Sequence, residues 1–137
     1  YSELARQHIV KMRKEISDLG IGSSDTDMKS FRKMLIKSNK SHHQLILNSP
    51  DFYSMSTLKD LIFHVQEHRF TIAQIKDCLS ELGLKFCGFE MNTIASDLRA
   101  IKFRKSDLYN LDKWEAYEAA NPRSFVGMYR FWCQKIA

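Results

Sequence analysis

The densest group of chemically capable side chains is the string His64-Val65-Gln66-Glu67-His68-Arg69, with Tyr53 a short way upstream in a proline-broken loop. Imidazoles suit proton transfer near neutrality. On that reading His64 and His68 orient or deprotonate a substrate hydroxyl, Glu67 fixes an imidazole tautomer, Arg69 binds an anionic group, and Tyr53 borders the same cleft. Titratable groups gathered where one helix ends and the next begins are well placed to face a pocket. Each residue also has a structural explanation: His64 as a buried hydrogen-bonding residue, Glu67 and Arg69 as a surface pair, Tyr53 as packing. Taken singly, each favours that plainer role. The five are therefore substrate-pocket candidates, and no residue is assigned as catalytic.

His64 to His68 also matches H-x-x-E-H, in which two histidines four apart on a helix bind zinc. The pattern is short and has no third ligand; Glu115 and Glu118 can be nominated only by residue type. Arg69 and a cap at Thr71 end the helix near His68, so a polar helix terminus is the better reading. His42-His43, beside Lys40, reads as an exposed pair with too few ligands for a metal, and no metal is assigned.

The positioning elements follow from periodicity and capping. Ser2 caps a helix running to about Leu19, with Leu4, Ile9, Met12, Ile16 and Leu19 on one stripe. Gly20 and Gly22 break it. Ser24 to Asp27 opens a second helix on Met28, Phe31, Met34 and Leu35. A short helix through Leu45–Leu47 stops at Asn48-Ser49-Pro50. Ser56 caps the next, which buries Leu58, Leu61, Ile62 and Val65. Thr71 and Gln74 form a capping box, with Phe70 and Ile75 as its hydrophobic staple, over a helix burying Ile72, Ile75, Leu79 and Leu82. Asn92 caps a short helix through Ile94, Leu98 and Ile101, and Asp112 with Glu115 caps one carrying Trp114 and Tyr117.

Two segments, 84–90 and 127–134, read as strands. In the first, Leu84, Phe86 and Gly88 alternate with Lys85, Cys87 and Phe89, apolar on nearly both faces. The second is rich in aromatic residues. Tyr129, Phe131 and Trp132 invite a base-stacking reading, but aromatics alternating along a strand are more often core. The fold class is α+β, mainly helical, with five or six helices and two strands. Two strands alone are marginal, so they call for neighbours in a larger sheet or for self-association through strand edges.

With 137 residues the chain fits a single domain or a fragment, divided here into a helical cap, 1–70, and a helix-strand-insertion-strand part, 71–137. Hydrophobic residues at 44% and charged residues at 27% suit a globular protein, and no apolar run reaches membrane-spanning length. Cys78, Cys87 and Cys133, odd in number and widely spaced, read as small buried thiols in a reducing cytoplasm. The 21 basic against 16 acidic residues leave +5, concentrated early in the chain. Solvated helix faces explain that excess better than a nucleic-acid footprint.

YSELAR at the start, DFYSMSTLKDLIFHVQEHRFT, GLKFCGFE and NPRSFVGMYRFWCQK together resemble the C-terminal part of bacterial class I S-adenosylmethionine-dependent methyltransferases, the group often fused to tetratricopeptide repeats. The resemblance covers nearly the whole chain. It implies that YSELAR follows a sheet strand after which a helical insertion begins. It also implies that 84–90 and 127–134 are the last two strands of a Rossmann-like sheet, the final one antiparallel. The five glycines make no G-x-G loop after a strand, so the cofactor-binding core is expected on the N-terminal side, outside this sequence. S-adenosylmethionine is thus expected for the intact protein and none for this chain alone, which is expected to be inactive. The partners implied are that missing core and an unknown methyl acceptor. Methyl transfer is an in-line displacement at a sulfonium carbon, so positioning and desolvation would supply most of the catalysis. The competing expectation is a stand-alone helical module that binds a protein or nucleic acid.

Overall fold

The computed structural model describes residues 1–63, 66–94 and 101–137. The architecture is α+β and mainly helical, with six α-helices and one two-stranded antiparallel sheet among the described residues. The chain forms two compact units. One is Gln7–Glu67; the other combines Tyr1–Arg6 with His68–Ala137.

The first unit is helical: α1 (Gln7–Leu19), α2 (Asp25–Lys37), α3 (Ser41–Leu47), a 3-10 turn over Pro50–Tyr53, and α4 (Met55–Phe63). Ser24 caps α2 by accepting from the Asp27 N–H, as the spacing predicts. Ile9, Met12 and Ile16 meet Met28, Phe31, Leu35, Ile46, Phe52, Leu58, Leu61 and Ile62 in one core. Full burial of each such side chain is worth about 1.5–3 kcal/mol. The α4 cap is Ser54, two residues before the expected Ser56, because the Ser54 hydroxyl accepts from the Thr57 N–H. Val65 lies outside the described residues.

The helix expected from Ser2 begins only at Gln7. Ser2 does accept from the Ala5 N–H, as a cap would, yet Tyr1–Glu3 runs parallel to 68–70. The Phe70 N–H donates to the Tyr1 carbonyl at 2.8 Å and the Glu3 N–H to the Phe70 carbonyl at 2.9 Å. Leu4 and Leu19, expected on the buried stripe, are exposed.

The second unit contains α5 (Ile72–Glu81), β1 (Leu84–Phe89), a 3-10 helix over Lys105–Tyr109, α6 (Leu111–Ala120) and β2 (Phe131–Lys135). The capping box of α5 is complete: the Gln74 N–H donates to Thr71 Oγ1 and the Thr71 N–H to Gln74 Oε1. Leu82, expected on the buried stripe, is exposed just past the last turn of α5. Helix α6 is capped by Asn110 instead of Asp112, its side-chain oxygen accepting from the Asp112 and Lys113 N–H groups. Met91–Thr93 forms a 3-10 turn, and the helix expected from Asn92 through Leu98 falls on residues 95–100, outside the described residues.

β1 and β2 pair antiparallel, Phe86 opposite Cys133 and Phe89 opposite Phe131. Three steps on β1 thus match two on β2, which is a bulge, and Gly88 takes φ +110° within it. The bulge brings Phe86 and Phe89 to the same face, over α5 and α6. There Phe89 packs on Trp114 at 5.4 Å and on Phe125 at 4.7 Å. The apolar alternation read as two buried faces is therefore largely one. Trp132 faces outward and is exposed.

The cysteines are not buried. Cys78 lies off the α5 stripe of Ile72, Ile75 and Leu79 and is exposed, as is Cys133 on β2; Cys87 is half-buried.

Candidate functional site

The expected pocket residues are divided between the two units. His64 lies outside the described residues. Helix α4 ends at Phe63 and residues 66–69 are not helical, so Glu67 and His68 are not on the helix that the zinc pattern requires. Glu67 belongs to the helical unit, and its side chain is only 2% exposed. There its Oε2 accepts from Arg13 Nη2 at 3.0 Å, while the same guanidinium nitrogen donates to the Leu61 carbonyl at 2.8 Å. Glu67 thus anchors the end of this unit to α1. His68 and Arg69 belong to the second unit. The exposed His68 accepts from the Tyr1 nitrogen through its carbonyl, and Arg69 pairs with Glu3 at 3.0 Å instead of with Glu67. Tyr53 is 77% exposed, its ring edge-on to Phe52.

A buried polar cluster not expected from the sequence lies in the second unit. Ser2 and Glu118 are almost wholly buried. The Ser2 hydroxyl donates to Glu118 Oε1, and the Tyr129 hydroxyl lies 2.8 Å from both carboxylate oxygens. Burial pushes the Glu118 carboxyl above its ordinary 4.5, while the two hydroxyls pull it back. Burial likewise raises the Tyr129 phenol, so it stays protonated and able to donate. The cluster holds the start of the chain beside the residue that leads into β2. Its signal was readable: Glu118 falls on the α6 stripe with Leu111 and Trp114, the lone acid on an apolar face.

The ribbon is the other unusual surface. Its ladder runs on past the strand ends, the Glu90 N–H donating to the Arg130 carbonyl and the Ile136 N–H to the Gly83 carbonyl. The outer edge of β2 has no strand beside it among the described residues. Exposed Trp132 and Ile136 flank that edge. A cleft of about 750 Å³ opens beside β1, with Tyr109 and Cys87 in its wall and the Lys76–Asp112 ion pair across it.

No protein-family model and no curated protein matches the chain. Among the described residues, no helix is long and apolar enough to cross a membrane.

Proposed function

We propose that this chain is the C-terminal cap and substrate-side segment of a cytoplasmic S-adenosylmethionine-dependent methyltransferase whose core lies on its N-terminal side. The observation that carries the reading is the open edge of β2. A two-stranded ribbon is marginal by itself, and an edge with exposed apolar flanks is a template for another strand. The buried cluster supports a particular neighbour. Ser2 and Tyr129 meet on Glu118, and Tyr129 lies two residues before β2. A strand leading into Tyr1 would end where β2 begins and run antiparallel along its open edge.

The parallel bridge between Ser2 and Phe70 supports the cap. It holds together the two points between which Gln7–Glu67 folds as its own unit, as expected of a helical insertion.

The chain's own residues do not fit S-adenosylmethionine. Neither described strand runs into a glycine-rich turn and helix, since β1 continues to Glu90 and a 3-10 turn. The cofactor would be held by the core. Exposed Tyr53, in the helical unit, remains accessible to a methyl acceptor.

The test compares the isolated chain with the intact gene product in equilibrium binding of labelled S-adenosylmethionine and in amide hydrogen exchange. The proposal expects cofactor binding only by the intact product. It also expects alternate β2 amides to exchange slowly there and fast in the isolated chain. An intact product that ignores the cofactor, paired with salt-sensitive nucleic-acid binding, would establish the helical interaction module instead.

A further inference from the structure

His42-His43 reads as an exposed pair in the sequence, but the fold buries His43 to 2% exposure and gives both rings a common target. Helix α1 presents Glu15 one residue before buried Ile16, and the first turn of α3 presents the two histidines. His42 Nε2 lies 2.9 Å and His43 Nε2 2.6 Å from the same carboxylate oxygen, Glu15 Oε2. The two rings stand edge to face, 4.4 Å apart. All three ligand atoms lie within 4.8 Å of one another.

We infer that Glu15, His42 and His43 form a binding site for a divalent transition-metal ion, with zinc the best match to two imidazoles and a carboxylate. Zinc holds nitrogen and oxygen ligands at about 2.0–2.2 Å, which sets neighbouring donors roughly 3.3 Å apart in a tetrahedron. The Glu15–histidine distances fall short of that by about half an ångström, a spread that small side-chain rotations supply.

Two features suit the ion. The Ser38 hydroxyl lies 2.7 Å from His43 Nδ1 and can donate or accept. When it accepts, the proton sits on Nδ1 and the Nε2 lone pair faces the site, the outer-sphere support usual for ligand histidines. His42 and Glu15 are each about one-fifth exposed, which leaves a fourth position open to water.

Lys40 is the opposing group. Its ammonium bonds to Glu15 Oε1 and repels an incoming cation, but its side chain is 58% exposed and free to swing away. Lysine removal therefore separates a metal site from a hydrogen-bonded anchor, because the anchor loses a partner while the metal site loses a competitor.

The experiment titrates the metal-free full chain with zinc against a chromophoric chelator and repeats it with cobalt, whose visible absorption reports tetrahedral coordination. One equivalent should bind, with affinity at least about tenfold weaker in His42→Ala and in Glu15→Gln and several-fold tighter in Lys40→Met. Lys40 is exposed enough to change without unfolding the chain, and circular dichroism checks that His42→Ala and Glu15→Gln keep the fold. Failure of the folded chain to take up one equivalent would overturn the site. So would uptake indifferent to His42→Ala and Glu15→Gln, or weakened by Lys40→Met.

Discussion

Phe86 and Phe89, three residues apart on one strand, set their rings 5.1 Å from each other on the same side of the sheet. Strict alternation would put them on opposite sides; the extra residue at the bulge reverses that. Gly88 makes it possible with φ +110°, where a Cβ would find only ordinary contacts with Tyr109. Gly88→Ala should therefore cost about 1–3 kcal/mol through backbone strain alone. Urea denaturation checks this, and an unchanged midpoint would show that the strand can re-register.

Glu67 and Arg13 should behave as a buried pair. Removing the cation in Arg13→Ala leaves a carboxylate with 2% exposure and should destabilise the chain by about 3 kcal/mol. The half-buried Glu3–Arg69 pair, better solvated, is the comparison, and Glu3→Ala should cost about 1 kcal/mol. Equal losses in the two variants would contradict the assignment of Glu67 as an anchor.

Thr71→Ala removes the acceptor of the Gln74 N–H and should cost about 1 kcal/mol, while Thr71→Ser should cost much less. Thermal denaturation of the two variants settles the comparison.

Glu118 gives the stability a pH dependence. Its folded carboxyl is raised above 4.5, so the folded chain holds that proton more firmly than the unfolded chain. The resulting contribution is complete below 4.5 and is lost as the pH rises through the folded value. Glu118→Gln stays neutral, so its stability relative to the natural chain should improve between pH 4 and pH 7. Urea midpoints at both values test the sign; a difference that does not vary with pH refutes it.

Local signals were legible and long-range ones were not. The Thr71–Gln74 box and the Ser24 cap are decided within four residues, and both stand as read. Ser2 shows how a true local signal misleads: its hydroxyl does accept from Ala5, but its main commitment is to Glu118, far along the chain. The surface pair read between Glu67 and Arg69 was redirected for the same reason. Arg13 and Glu3, distant in sequence, took the two charges that adjacency had assigned to each other. His43 looked exposed because nothing near it announces Glu15 on another helix. The strands were readable from composition, whereas the bulge, set by backbone geometry at one glycine, was not.

The bridge between Ser2 and Phe70 brings the outgoing and returning threads of the chain to one spot. A segment stitched in this way at its base is a cassette. Its length can grow or shrink at little entropic cost, since closing a longer loop is only logarithmically harder. Grafting a different helical head between Arg6 and His68 should leave the α5–β1–α6–β2 scaffold standing, so the two parts are free to diversify at different rates.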